Sequence, residues 1–326
     1  MRFAVDGWDP GYGSTFDLDG ELDAAAAEVD PTVERAVADW GPVRARTAVA
    51  GPERILFVDG VRRIEARAWI DDPVDLLAPG AAASTASEAI FASYAAGVVC
   101  CSESRARVDH VGVRRGLFTV AARAESVPTS AGPYTFHRAE HRPGQPMAAA
   151  LSRALQNELA EVEREVATGA RAGAGADVDD LLVVDGPLSG RRVLPRTIGY
   201  IKSHHSAYLT PDLHAQVGRL GAGERTPVFR IGHGWDRYSW YLRLPGAAGA
   251  PWAGIVRIEC APDRPDAVIE LATLSQAVLP RFASAAYKDT RAPQNLYPIA
   301  GLERELRRRL GDPQLLYRAL RVAAAG

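Results

Sequence analysis

Residues Leu181–Leu188 read LLVVDGPL, preceded by the acids Asp179 and Asp180. A short apolar run flanked by acids and closed by Asp-Gly has the length and composition of a strand buried on both faces. The same pattern stands earlier in the chain, where ILFVDG covers Ile55–Gly60. Two buried strands ending at Asp59 and Asp185 predict an open α/β sheet with carboxylates at its strand ends, where ligands bind in such sheets. A glycine after each aspartate lets the backbone turn away without crowding a bound ligand. Asp-Gly is also an ordinary turn signal, so a sheet in which both pairs merely turn the chain is the competing reading at this point.

Outward from these two strands, VRRIEARAWI after Gly60 alternates like a strand and predicts a hairpin. AAGVVCCSES near Ala95 and GLFTVAARAES near Gly116 add two more extended runs. A helix is predicted from Met147 to Val166, because Leu151, Leu155, Leu159, Val162 and Val166 recur at three- and four-residue steps. The Gly/Ala-rich stretch Gly169–Ala176 predicts a flexible connection. Beyond Leu188 come strands at TIGYIK and PVFRIGH, a hairpin-like pair SWYLRL and AGIVRIEC, and a final helix from about Ile299. Residues 1–50, with a helical piece around Leu22–Trp40, read as a peripheral arm. No repeat or boundary divides the chain, so residues 1–326 are expected to form a single domain.

The chain has 326 residues, 47% of them hydrophobic, which is enough for a substantial core. A formal net charge of -2 does not announce a polyanion partner, so any nucleic-acid surface must be a local patch. Cys100, Cys101 and Cys260 lack a zinc-site spacing, and the adjacent pair cannot readily bridge. MRFAVDGWDP is not a secretory leader, and no apolar run reaches membrane-spanning length, so a cytoplasmic protein is expected.

A third acid follows from helical spacing: Glu158 lies three residues after Leu155 and four before Val162, beside the apolar stripe. An inward carboxylate is costly unless shared with a cation, although the helix is acidic anyway at Glu161 and Glu165. Carboxylates around Mn²⁺ or Mg²⁺ suit phosphodiester hydrolysis, because hard cations take oxygen ligands and stabilise a departing oxyanion. Lys202, at the end of TIGYIK, is placed to hold a phosphate as a point charge. His204 and His205 follow it.

Arginines at 62, 63 and 67, at 114 and 115, at 191, 192 and 196, and from 304 to 309 suit either a phosphate channel or salt-bridged faces. Trp235, Tyr238, Trp240 and Tyr241 suit base stacking, but such a stripe is more often core or interface.

LLVVDGPL followed by GYIKS at Gly199–Ser203, the earlier FVDG, and LYPIAGLEREL at Leu296–Leu306 together resemble the NurA nucleases. The resemblance implies an α/β, RNase H-like (Piwi/NurA-type) mixed sheet flanked by helices. It implies a manganese-dependent DNA nuclease with 5′-3′ exonuclease and single-strand endonuclease activity. It further implies homodimerisation and partnership with a HerA-type hexameric ATPase; DNA end processing in repair and a defence role are both compatible with the residues. Carried over residue by residue, Asp59 and Asp185 match the metal-binding aspartates, Glu158 the helix acid, Lys202 the strand lysine and Tyr297 the YP tyrosine. The family usually has a histidine a few residues beyond that proline. None follows Pro298 here, and Glu303 is the nearest polar residue that could ligate in its place. The departure leaves two readings: a working nuclease, or a catalytically weakened DNA-binding adaptor of an ATPase motor.

Overall fold

The structure, a computed structural model, describes residues 23–24, 27–71, 86–103, 105–172, 179–188, 194–204, 206–232, 235–247, 249 and 251–325. Its strands are β1 (Asp23–Ala24), β2 (Glu28–Asp30), β3 (Arg54–Asp71), β4 (Ala86–Ser102), β5 (Arg105–Thr119), β6 (Thr135–Arg138), β7 (Asp180–Asp185), β8 (Thr197–Ile201), β9 (Ser206–Ala207), β10 (Phe229–Gly232), β11 (Arg237–Arg243) and β12 (Ile255–Cys260). The helices are α1 (Met147–Ala172), α2 (Pro211–Val217), α3 (Pro265–Val278), α4 (Tyr297–Arg309) and α5 (Pro313–Ala323).

Ten strands hydrogen-bond in the order β2-β10-β11-β12-β8-β7-β3-β4-β5-β6. β3 runs parallel to β7, and β7 parallel to β8, whereas β12 is antiparallel to β8 and to β11. The central order β5-β4-β3-β7-β8, with its last pairs parallel, is that of an RNase H-like sheet. Ile55–Val58 of β3 and Leu181–Val184 of β7 are apolar because both faces of such strands are covered: Leu56, Phe57, Val58, Leu181 and Val183 are fully buried.

The residues sort into two compact units, one of 1–58, 99–107 and 174–301, the other of 59–98, 108–173 and 302–326. Each unit draws on three separate stretches of chain, so no single cut in the sequence marks a boundary. In the first, Trp40, Val217, Phe229, Tyr241 and Ile255 share a core, and buried Trp240 donates from Nε1 to the Ser275 hydroxyl at 3.1 Å. In the second, α1 buries Leu151, Leu155, Leu159, Val162 and Val166, the stripe expected from its spacing. It packs closely where β3 and β5 have glycines: a Cβ on Gly112 would lie 2.8 Å from Val162 Cγ1.

Three expectations are corrected. β3 does not turn at Asp59-Gly60 into a hairpin but runs on to Asp71. Among the described residues of the stretch Leu22–Trp40, where a helical piece was expected, helical structure is confined to a 3₁₀ turn at Val37–Asp39. Strand β2 is followed by a turn in which Asp30 Oδ1 accepts from Thr32 N at 2.8 Å, just where Pro31 blocks helix continuation. Finally, α1 continues through Gly169 to Ala172, with Gly169 leaving room for the His110 ring, which would lie 2.9 Å from a Cβ there; residues 173–176 of the expected connection lie outside the described residues.

The three cysteines are free and buried, and burial pushes the Cys101 thiol up to about 11 and Cys260 up to about 12, so neither is a ready nucleophile. A buried ion pair anchors the chain near Glu34. Arg225 donates to its two oxygens at 2.7 and 2.9 Å, and Val228 N donates at 2.9 Å. Burial pushes the Glu34 carboxyl up, but the Arg225 guanidinium and these hydrogen bonds outweigh it and hold the group below its ordinary range. A depressed folded pKa stabilises the fold above the ordinary carboxylate range, and that stabilisation is lost as pH falls through the folded value. Arg225→Met is therefore expected to cost about 3–5 kcal/mol at neutral pH. The deficit should shrink in acid, where protonated Glu34 no longer needs a partner. Urea unfolding at neutral and acidic pH measures both, and a pH-independent deficit would contradict the assignment.

Candidate metal centre

The parallel register of β3 and β7 pairs Val58 with Val184. The next residue on each strand is an aspartate, so Asp59 and Asp185 follow side by side from adjacent, equally directed strands, and paired positions face the same side of a sheet. The two Asp-Gly pairs then differ. Gly186 adopts φ +99, and the chain leaves β7 there. Gly60 stays in the strand, and its value is space: a Cβ would lie 2.7 Å from both Glu163 Oε1 and Leu159 Cδ1.

Several groups fix the segment carrying Asp185. Gly186 N donates to Tyr200 O at 2.8 Å, and Leu188 N donates to the buried Glu259 carboxylate at 2.7 Å. Glu259 is held in turn by Arg257 at 2.7 Å. Gly199 must lack a side chain, since a Cβ would meet Gly186 O at 2.8 Å. Lys202 Nζ donates to Asp185 Oδ2 at 2.6 Å and to Asn295 Oδ1 at 3.2 Å. Asn295 is fully buried and donates to Asp289 Oδ2 at 2.7 Å. Tyr200, donating to Gln294 O at 2.6 Å, is pushed well above the ordinary phenol range by burial and then by the Asp185 charge. The lysine expected at the end of β8 thus neutralises and orients Asp185, and Asn295, just before the Tyr-Pro step, orients the lysine.

Asp59, Asp185 and Glu303 each bring a carboxylate oxygen within 4.8 Å of the others. Asp59 is bonded to Val58, and Glu303 lies two residues past Gly301 on continuous helix α4, so both sit on elements that start in the unit containing Asp185. At that separation two like charges repel by about 3–4 kcal/mol for an effective dielectric near 20. A divalent cation shared by the three carboxylates would offset this repulsion. Oxygens sharing one octahedral cation are roughly 3–4 Å apart, so small side-chain rotations would close the set. An all-carboxylate donor set suits a hard ion such as Mg²⁺ or Mn²⁺.

The sequence profile of the NurA domain matches residues 53–308. The chain belongs to the NurA family. Among solved structures, the NurA nuclease from Sulfolobus solfataricus aligns over 82% of this chain and 81% of that one, at 8% identity and a TM-score of 0.41. Human ENDOV aligns over 83% of this chain and 92% of that one, at 16% identity and a TM-score of 0.34. No curated protein matches the chain.

Other residues anticipated for a NurA site lie elsewhere or play other parts. Glu158 is not brought into the carboxylate group: its Oε1 pairs with His137 Nδ1 at 3.3 Å on a half-exposed face of α1. The helix acid that turns inward is Glu163, only 5% exposed, four residues after Leu159 and opposite Gly60. Tyr297 is half-exposed, its hydroxyl accepting from Ala285 N at 3.2 Å. His204 is buried against Tyr241 and Trp252 with Nε2 3.1 Å from Ile255 O, a packing role. Trp240 and Tyr241 are core residues, not stacking platforms.

Many of the anticipated arginines are locally engaged: Arg62 on Ser152, Arg63 on Glu65 and Gly311, Arg114 on Glu165, Arg196 on Asp179, and Arg308 and Arg309 on Glu305. His205, Arg191 and Arg192 lie outside the described residues.

The carboxylate group predicts a metal-linked gain in stability. At a Mn²⁺ concentration one hundredfold above its Kd, binding to the folded state adds about 2.7 kcal/mol, a rise of several degrees in melting temperature. Glu303→Ala is expected to lose most of that rise and Glu158→Ala to keep it. Thermal melts with Mn²⁺ and with chelator make the comparison, and an undiminished shift in Glu303→Ala would remove that residue from the site.

Proposed function

We propose that this NurA-family chain is a divalent-metal-dependent deoxyribonuclease, hydrolysing DNA phosphodiesters at the site built on Asp59, Asp185 and Glu303. The observation that carries the reading is the convergence of Glu303 with the two strand-end aspartates. This is the helix in which the family resemblance implies a histidine. A carboxylate there keeps a ligand for a hard cation, which favours a working nuclease over the adaptor reading.

Hydrolysis adds water across one P–O bond and yields a phosphate monoester and a hydroxyl. When bound, the ion would stabilise charge on the phosphoryl oxygens and lower the pKa of a water. The residues would do the rest by position. Asp59, Asp185 and Glu303 hold the cation. Glu163, buried opposite Gly60, supplies the helix acid in place of Glu158. Lys202 keeps the Asp185 carboxylate aligned and presents positive charge to the scissile phosphate, with Asn295 fixing its ammonium. Tyr297 is the first residue of α4, the helix that carries Glu303.

Mn²⁺ as the physiological ion, 5′-3′ exonuclease and single-strand endonuclease activity, homodimerisation, and work beside a HerA-type ATPase in cytoplasmic DNA end processing complete the proposal. Their support is membership of the NurA family. No helix among the described residues is long and apolar enough to cross a membrane.

End-labelled single- and double-stranded DNA should be cut in Mn²⁺ or Mg²⁺ and not in chelator. Asp59→Asn and Asp185→Asn should each reduce cutting by at least about a hundredfold, the scale on which loss of one preorganised charge acts. Glu163→Gln should impair cutting far more than Glu158→Gln. Full activity of either aspartate variant would overturn the site, and the reverse order of the glutamates would return the helix role to Glu158.

A further inference from the structure

We infer that a basic pocket sharing no residue with the carboxylate group, formed by Arg35, Arg44 and Arg46 with a buried Arg225, holds the phosphodiester backbone of a DNA strand. The cavity has a volume of about 420 Å³, and its lining contains four arginines and a single acid, Glu34. Glu34 is committed to Arg225 through the bidentate pair, so Arg35, Arg44 and Arg46 carry the net positive charge of the pocket. In a chain whose overall charge is -2, this is the kind of local patch that a polyanion requires.

The pocket has a rigid floor. Gln276 Nε2 donates to Val43 O at 2.8 Å and to Gly223 O at 2.9 Å, tying the 43–46 segment to α3. Val43 and Arg225 exchange backbone hydrogen bonds at 2.8 and 3.2 Å. The arginines above that floor are available for a ligand. Arg44 is 90% exposed, with only a 3.6 Å approach to Glu224. Arg46 is exposed and has no ion-pair partner among the described residues. Several of the arginine runs that stand out in the sequence are, by contrast, tied to neighbouring carboxylates.

A neighbouring cavity of about 590 Å³ favours a strand over a free anion. It shares Arg46 and Thr273 with the basic pocket and is lined by apolar groups, among them Val49, Leu271 and Leu274, together with Arg196 and the acids Asp263 and Glu270. A basic pocket continuous with an apolar groove fits a chain of phosphates that carries bases, whereas a lone phosphate would use only the first. All these residues belong to the unit of 1–58, 99–107 and 174–301, and none belongs to the carboxylate group. The assignment of DNA rests on the nuclease reading above; the anion chemistry does not.

The test is binding of a fluorescent single-stranded oligonucleotide to the full chain in chelator, read by anisotropy across a salt series. Each phosphate contact contributes roughly 0.7 to the slope of log K against log salt for a single strand. The triple variant Arg35→Gln, Arg44→Gln, Arg46→Gln should lower the slope by about 2 and weaken binding at low salt by more than tenfold. The matching triple lysine variant should restore most of the slope, which a folding defect would not allow. Inorganic phosphate at matched ionic strength should not displace the strand.

An unchanged slope in the glutamine variant, or displacement by phosphate alone, would overturn the proposal. If the wild type cleaves DNA while the slope is unchanged, the pocket fails and the nuclease reading stands. If the slope falls in a chain that cleaves nothing with any metal, the pocket stands and the nuclease reading fails.

Discussion

The parallel pairing of β3 with β7 is the constraint from which the site follows. Antiparallel strands would send successive residues in opposite directions, and a shift of one residue would turn one aspartate to the opposite face. With Val58 beside Val184, the next residues are two carboxylates at one level. Apolar burial on both faces of these strands holds that register, because any slip would move fully buried Leu56, Phe57 and Val183 out of place. The cost of bringing like charges together is thus met by packing elsewhere in the sheet.

Around that pair the chain manages charge and space one group at a time. Lys202 offsets Asp185 directly, and buried Asn295 and Asp289 hold the lysine where a long, flexible side chain would otherwise wander. Glu259 clamps Leu188 N, and Gly199 leaves room for the Gly186 carbonyl, so the turn after Asp185 is fixed before any ion arrives. This is preorganisation: the groups that would stabilise developing charge are positioned by the fold and need little rearrangement.

The legible part of the sequence was the part written in periodicity and short motifs. Continuous apolar runs gave β3 and β7, and three-and-four spacing gave α1. Asp59 and Asp185 could be paired because their strands carried the same signature. Asp-Gly was ambiguous: the dipeptide ends β7 at Gly186, yet at Gly60 it continues the strand and makes room for α1. That room identifies the inward helix acid as Glu163, a distinction between Glu158 and Glu163 that helical spacing could not make, since both lie near the apolar stripe. Asn295 carried no signal beyond its place before Tyr297. Arg35, Arg44 and Arg46 did not stand out as a run; only the turn after β2 and the bridge to Arg225 gather them. The helix expected near Leu22–Trp40 is reduced, among the described residues, to the 3₁₀ turn Val37–Asp39, because Pro31 and the Asp30–Thr32 hydrogen bonds favour a turn after β2.

The central claim is that Asp59, Asp185 and Glu303 form one cation site. The most direct measurement is anomalous diffraction from crystals of the full chain grown or soaked with Mn²⁺. The account predicts a peak bounded by the three carboxylates, with Lys202 still hydrogen-bonded to Asp185. A fully soaked crystal with no peak there, or with manganese bound only at other carboxylates, would contradict it.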